Sequence, residues 1–345
     1  MAENSPIQFE EQIHPLLLSN LNITGNSEAL TISAPENTYN FTGDSAAVLF
    51  KTAHLFTAIR SVQAIADMTG VDSKKLLAVV KYLIAEGIVL DTTAAIKDWS
   101  DSSAFVDAIL AESAFWRKHL GVQPFWKKMM AGQLSQSVIF GWGIEMTHYV
   151  DAANEYMAMG VANCRDSIKV REKLSSQYSE EANHAELFLH GLINSGFDRD
   201  ALLTAPPLAT TRALINFLNE VAMDGTMCYS AVFTLMQADV RFKNANDLIA
   251  SHEKLVELYP FAKAMLAGMH KHAMIDVALD HRKTLFEEFY RDSGYISRRE
   301  AESVVNVIRS LAKYFILFFE GIEAYYDRED KQLPRRAICV SEYIN

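Results

Sequence analysis

From about residue 104 to residue 328 the chain shows a single periodicity, that of the α-helix, which leaves room for little but a helical bundle. The patterns run over residues 104–119, 124–130, 136–164, 167–195, 210–241, 246–290 with a break near Pro260, and 298–328. The last opens on Ser297-x-x-Glu300, a capping-box pattern, and carries the apolar stripe Val304, Ile308, Leu311, Phe315, Phe318 and Ile322. Gly294 and Pro206–Pro207 mark loops. Only 15 Gly and 8 Pro interrupt 345 residues, half of which are hydrophobic, so a large buried core is within reach. No internal repeat and no Gly-rich phosphate loop is visible. An all-α domain over 104–330 is expected, followed by a tail over 331–345.

The segment ahead of it reads differently. Residues 15–43 alternate with period two: PLLLSNLNI, then ALTISAP with Leu30 and Ile32 on one face, then TYNFTG with Tyr39 and Phe41. Three helical patterns follow. The first covers Ala46–Ile59, and the second covers Ser61–Met68 and stops at Gly70. The third is capped by Asp72 or Ser73, carries Leu76, Val79, Val80 and Leu83, and closes at Gly87. Ile88–Leu90 reads as one more strand or wing. Small strands with three helices predict a winged-helix α+β domain over 1–92, and the polar, small-residue stretch 93–103 is expected to be a linker. The whole chain is thus expected to be mainly α.

Charge and cysteines narrow the function classes. A formal net charge of −11 argues against nucleic acid or an anionic membrane surface as a partner. The opening MAENSPIQFEE is acidic and polar, unlike a signal peptide, and no apolar run approaches the roughly 20 residues of a membrane span. Cys164, Cys228 and Cys339 are odd in number and share no motif spacing, which suits buried thiols in a reducing, cytoplasmic setting. Monomer and homodimer are both left open.

Chemistry-bearing residues fall on three of the expected helices. In SVIFGWGIEMTHY, Glu145 and His148 stand three apart and so share a helix face. Such a pair is costly to bury without a metal ion or a mutual hydrogen bond. A second Glu-x-x-His, Glu181 and His184, lies on the next helix; two such motifs also suit a ferritin-like carboxylate site, which ranks second here because that fold places another helix between them. His272 and Asp276, four apart, are about 40° apart on the wheel and can face one ion. Each pair can equally be a hydrogen-bonded feature of an ordinary core. Imidazole and carboxylate together suit ferrous iron and dioxygen chemistry, and also bind zinc or manganese.

Two stretches resemble known families. SAAVLFKTAHLFTAIRSVQAIADMTGVDSKKLLAVVKYLIAEGIVLD resembles the peptide-recognition domain of the protein D type from pyrroloquinoline-quinone biosynthesis. PFWKKMMAGQLSQSVIFGWGIEMTHYV, EEANHAELFLHGL and HKHAMIDVALDHRKTLFEEFY resemble core helices of the heme-oxygenase-like enzymes: thiaminase II, the cofactorless pyrroloquinoline-quinone synthase and the nonheme diiron oxidases. The first resemblance implies that residues 15–90 bind the leader of a precursor peptide as an added strand. The second implies an iron site, with one or two Fe(II) ions and dioxygen as co-substrate, held by Glu145, His148, His272 and Asp276. Two family positions depart: Gln237 stands where a Glu is expected, and Leu279 where a final His is expected. Asp280, Glu181 and His184 are the neighbours that can compensate, whereas His270 and His281 point the other way. Trp142, Tyr149, Phe233 and Met236 would line the cavity or serve as plain core.

The expected activity is therefore oxidation of a residue in a ribosomally made peptide. A metal-free oxidase is the alternative, with His148, Tyr149 and His184 as acid/base groups. A thiaminase-like hydrolase would need a pocket cysteine, and neither Cys164 nor Cys228 matches one. From another class, a winged-helix regulator with a helical ligand sensor and no catalysis remains an alternative.

Overall fold

The structure is a computed structural model and describes residues 12–34, 37–236, 245–278 and 283–336. It divides into two compact units, Met1–Gln123 with Arg291–Val305, and Pro124–Tyr290 with Asn306–Asn345. The cut falls at Gln123, so the first long helix belongs to the N-terminal unit, and the 93–103 stretch lies inside that unit.

In the first unit β1 (Pro15–Leu17) pairs antiparallel with β5 (Val89–Asp91). A separate meander joins β2 (Asn22–Gly25), β3 (Ala29–Ser33) and β4 (Thr38–Thr42). The β2–β3 turn needs its glycine: Gly25 has φ +115, and a Cβ there would lie 2.1 Å from the Ala29 carbonyl oxygen. Asn26 Oδ1 completes the turn by accepting from the Glu28 and Ala29 amides. Helix α1 (Gly43–Thr52) packs on β3 and β4, and α2 (Val62–Thr69) and α3 (Ser73–Ala85) pack against α1 and each other. Asp72 is the α3 cap, accepting from Lys75 N, and Gly70 ends α2 in the left-handed region, as expected. Leu30, Ile32, Leu49, Ile65, Leu76, Val80 and Leu83 form the core. The unit also holds α4 (Ser102–Gly121). Trp99 pairs in a backbone bridge with Ile296, and Ser297 and Glu300 close the expected capping box at the start of a long C-terminal helix, named below.

The second unit is helical throughout its described residues. It comprises α5 (Pro124–Met130), α6 (Gln136–Asp151), α7 (Ala153–Asn163), α8 (Ile168–Glu181), α9 (His184–Asn194), α10 (Arg199–Thr204) and α11 (Ala209–Asp224). Next come α12 (Thr226–Met236), α13 (Ala245–Leu258), α14 (Lys263–Ala278) and α15 (Leu285–Tyr290). Helix α16 (Arg298–Tyr326) supplies its later turns. Three helices expected as continuous are broken: 136–164 at Ala152, 167–195 at Ala182–Asn183, and 210–241 at Gly225, whose φ of +133 no ordinary helix residue adopts. The break near Pro260 is present as expected. Helices α9 and α14 pack with their backbones close because Gly191 faces Gly268; a Cβ on Gly268 would lie 2.4 Å from the Leu187 carbonyl oxygen. Among the described residues no helix is long and apolar enough to cross a membrane.

Candidate metal centre

Glu145 and His148 do not form a pair. Glu145 is fully buried on α6, and its carboxylate accepts from Leu208 N (3.0 Å) and Thr211 Oγ1 (2.5 Å) through Oε2, and from the Tyr326 hydroxyl (2.8 Å) through Oε1. Leu208 is the N-cap position of α11, so one donor is an amide that no helical carbonyl can satisfy. The carboxylate thus ties α6 to α11 and α16. Gly141, one turn earlier, makes room for this: a Cβ there would lie 2.2 Å from the Tyr326 ring. His148 keeps a buried Nε2 without a hydrogen-bond partner, and burial lowers its pKa, with Arg212 and Arg335 acting in the same direction against Glu145 and Asp151.

Glu181, His184 and His272 do converge. One donor atom from each lies within 4.8 Å of the other two. His184 Nδ1 is 2.6 Å and His272 Nε2 4.0 Å from Glu181 Oε2, and the two imidazoles meet edge to face with centroids 4.6 Å apart. Their side chains keep 15%, 8% and 19% exposure for Glu181, His184 and His272, so the group is shielded yet reachable. Burial, with His184 beside it, pushes the His272 pKa down to about 4, which leaves its lone pair available for coordination at neutral pH.

The helix break is what aims these donors. Glu181 is the last residue of α8 and His184 the first of α9, with Ala182 and Asn183 unwound between them. A carboxylate at a helix C-terminus meets the negative end of the helix dipole, an arrangement that favours a cation beside it. His272 comes from α14 across the close α9–α14 contact, where Phe188 packs against its ring at 5.2 Å.

Burial raises the pKa of Tyr149, Tyr156 and Tyr229, and the negative charge of Glu181 raises each further. Tyr149 also packs edge-on against Phe315. Gly160 lets the Tyr229 ring lie against α7, since a Cβ there would be 2.5 Å from that ring. On α8, one turn before Glu181, Gln177 is buried, and both of its amide atoms lack a partner.

Of the residues singled out in sequence, Glu181, His184 and His272 come together, while Tyr149 packs against Phe315 and Phe318. Glu145 is engaged elsewhere. Trp142 packs against Trp126 with centroids 6.1 Å apart. Asp276 lies one turn beyond His272 on α14, but its side chain, Gln237 and Asp280 lie outside the described residues. Gln177, Tyr156 and Tyr229 were not anticipated; for Gln177 the spacing of four from Glu181 was the available signal.

Comparisons with known proteins bear on the helical part of the chain. The TENA/THI-4/PQQC family matches residues 110–260. Among solved structures, a domain of unknown function with a heme oxygenase-like fold from Shewanella denitrificans OS217 is 17% identical, with TM-score 0.52 over 68% of this chain and 98% of that one. A TenA homologue from Pseudomonas syringae pv. tomato DC3000 is 14% identical, with TM-score 0.42 over 64% of this chain and 92% of that one. One from Pyrococcus furiosus is also 14% identical, with TM-score 0.39 over 63% and 99%. No curated protein matches the chain. The helical part of the chain therefore has a heme-oxygenase-like fold, and residues 110–260 within it are similar to the TENA/THI-4/PQQC family.

Proposed function

We propose that the chain is a nonheme-iron, dioxygen-dependent oxidase whose metal ligands are Glu181, His184 and His272. The observation that carries this reading is the convergence of two imidazoles and one carboxylate within 4.8 Å. Two His and one carboxylate with open positions form the donor set of nonheme Fe(II) oxygenases. Ferrous iron bound there would supply activation of dioxygen. Glu181 supplies the negative charge that such an ion needs, and His272 presents an unprotonated nitrogen. Tyr149, Tyr156 and Tyr229 remain protonated, because burial and the Glu181 charge both raise their pKa. This set keeps His272 from the Glu145, His148, His272 and Asp276 group and joins to it Glu181 and His184, neighbours expected to compensate; the Asp276 side chain lies outside the described residues.

For the substrate we propose a residue of a ribosomally made peptide whose leader the N-terminal unit holds. In support, every residue of the edge strand β2 is exposed, which suits strand addition by an extended partner.

The test is anaerobic loading with ferrous iron followed by metal analysis. Wild type should bind about one iron per chain, and Glu181→Ala and His272→Ala should each lose most of it, about tenfold or more in affinity. Full iron in His272→Ala would overturn the assignment. Wild type that takes up no iron would favour instead the metal-free oxidase, for which the 2.6 Å Glu181–His184 hydrogen bond supplies an acid/base pair.

A further inference from the structure

Among the described residues near the candidate site, Gln177 is a buried one whose chemistry the metal reading does not use. Helix α8 buries two side chains, Leu174 and Gln177. Gln177 is 5% exposed, and both its Nε2 and its Oε1 are closed off from solvent without a hydrogen-bond partner. Buried carboxamides in folded proteins are ordinarily satisfied, and a residue that breaks this rule beside a reactive site marks a function that stability alone would remove. Residues four apart on a helix are neighbours, and side chains lean toward the helix N-terminus, so Glu181 tilts toward the turn that carries Gln177.

The unused groups specify what they can read. A carboxamide offers a donor and an acceptor along one edge. An extended peptide residue presents its own N–H and C=O to one side, the pattern by which residues exchange two hydrogen bonds across an antiparallel ladder. The two edges are complementary. Gln177 precedes Glu181 by four residues on α8, on the same helix face, and the donors on Glu181 and His272 retain 15% and 19% exposure. The Phe188 ring, packed against His272, suits a large apolar side chain on that same peptide residue.

We propose that Gln177 is the substrate-reading group of the site, pairing through its carboxamide with the backbone N–H and C=O of one extended peptide residue whose side chain reaches Glu181, His184 and His272. The assignment rests on the reading of those three residues as the reaction centre for the location of the substrate, and its test needs no metal.

Chelator-treated full-length protein is titrated with N-acetylphenylalanine N-methylamide, with the analogue in which an ester oxygen replaces the phenylalanine N–H, and with butyramide. Wild type should bind the amide at least about tenfold more tightly than the ester, because the ester leaves the Gln177 oxygen unpaired. Gln177→Leu should abolish that ratio while its Tm stays equal to wild type or rises by about 2–4 °C, since a buried unpaired amide is removed. No binding of the amide to wild type, or equal binding of amide and ester, would overturn the proposal. Butyramide binding as tightly as the blocked amino acid would also overturn it, by showing that a side-chain carboxamide is the ligand. A fall in Tm for Gln177→Leu would show that the amide has a structural role. Iron loading of Gln177→Leu is measured separately and should equal wild type. Iron-free wild type sinks the metal reading and leaves the amide-to-ester ratio standing, so the two failures are told apart.

Discussion

Glu145 accepts three hydrogen bonds from Leu208, Thr211 and Tyr326, which take up most of the roughly four acceptor sites that a cation would compete for. A structural carboxylate and a ligand make opposite predictions. Glu145→Leu strands a buried amide and two buried hydroxyls, so it should destabilise the fold by about 3–5 kcal/mol in denaturant unfolding. Whatever fraction stays folded should load iron as wild type does, and loss of iron without loss of stability would return Glu145 to the ligand set. The sequence shows why the two carboxylates were hard to rank. Glu145 and Glu181 each precede a histidine by three positions. What separates them is a partner list drawn from residues 63, 66 and 181 positions away for Glu145, and no local pattern encodes it.

At the scale of elements, caps and glycine stops were legible where a side chain acts on its own backbone. Asp72, Gly70 and the Ser297–Glu300 box all stand where the sequence put them. The interruption between α8 and α9 was not legible. SEEANHAE contains neither Gly nor Pro and keeps good helix formers on both sides, so propensity favours one continuous helix. Packing in the bundle overrides that preference, and the result is the arrangement that brings Glu181 and His184 toward His272. The close α9–α14 seam is the second determinant. Gly268→Ala places a methyl group against the Leu187 carbonyl, which only a separation of the two backbones can relieve. We expect about 1–3 kcal/mol of destabilisation and iron affinity at least about tenfold weaker, because His272 moves away from His184. Circular dichroism with metal analysis checks both, and unchanged affinity would mean that α14 tolerates the shift.

For the molecule as a whole, the buried histidines give stability a definite dependence on pH. His119, His148, His252 and His272 all have pKa values lowered first by burial. Each therefore binds fewer protons folded than unfolded as pH falls below the ordinary value near 6.5, and stability declines with acidification. For His272, whose window runs from about 6.5 down to about 4, the loss is on the order of 3 kcal/mol. Metal-free protein should accordingly unfold at lower urea concentration at pH 5 than at pH 7, and a midpoint independent of pH would contradict the burial of these rings. The Glu145 anchor has a further consequence, in the order of folding events. Its three hydrogen bonds close loops of 63, 66 and 181 residues, whereas each helix needs only neighbours within a turn. Contacts of such long sequence separation form after the helices they join, so the anchor belongs to the final consolidation of the second unit and acts as a brake on unfolding more than as an aid to refolding.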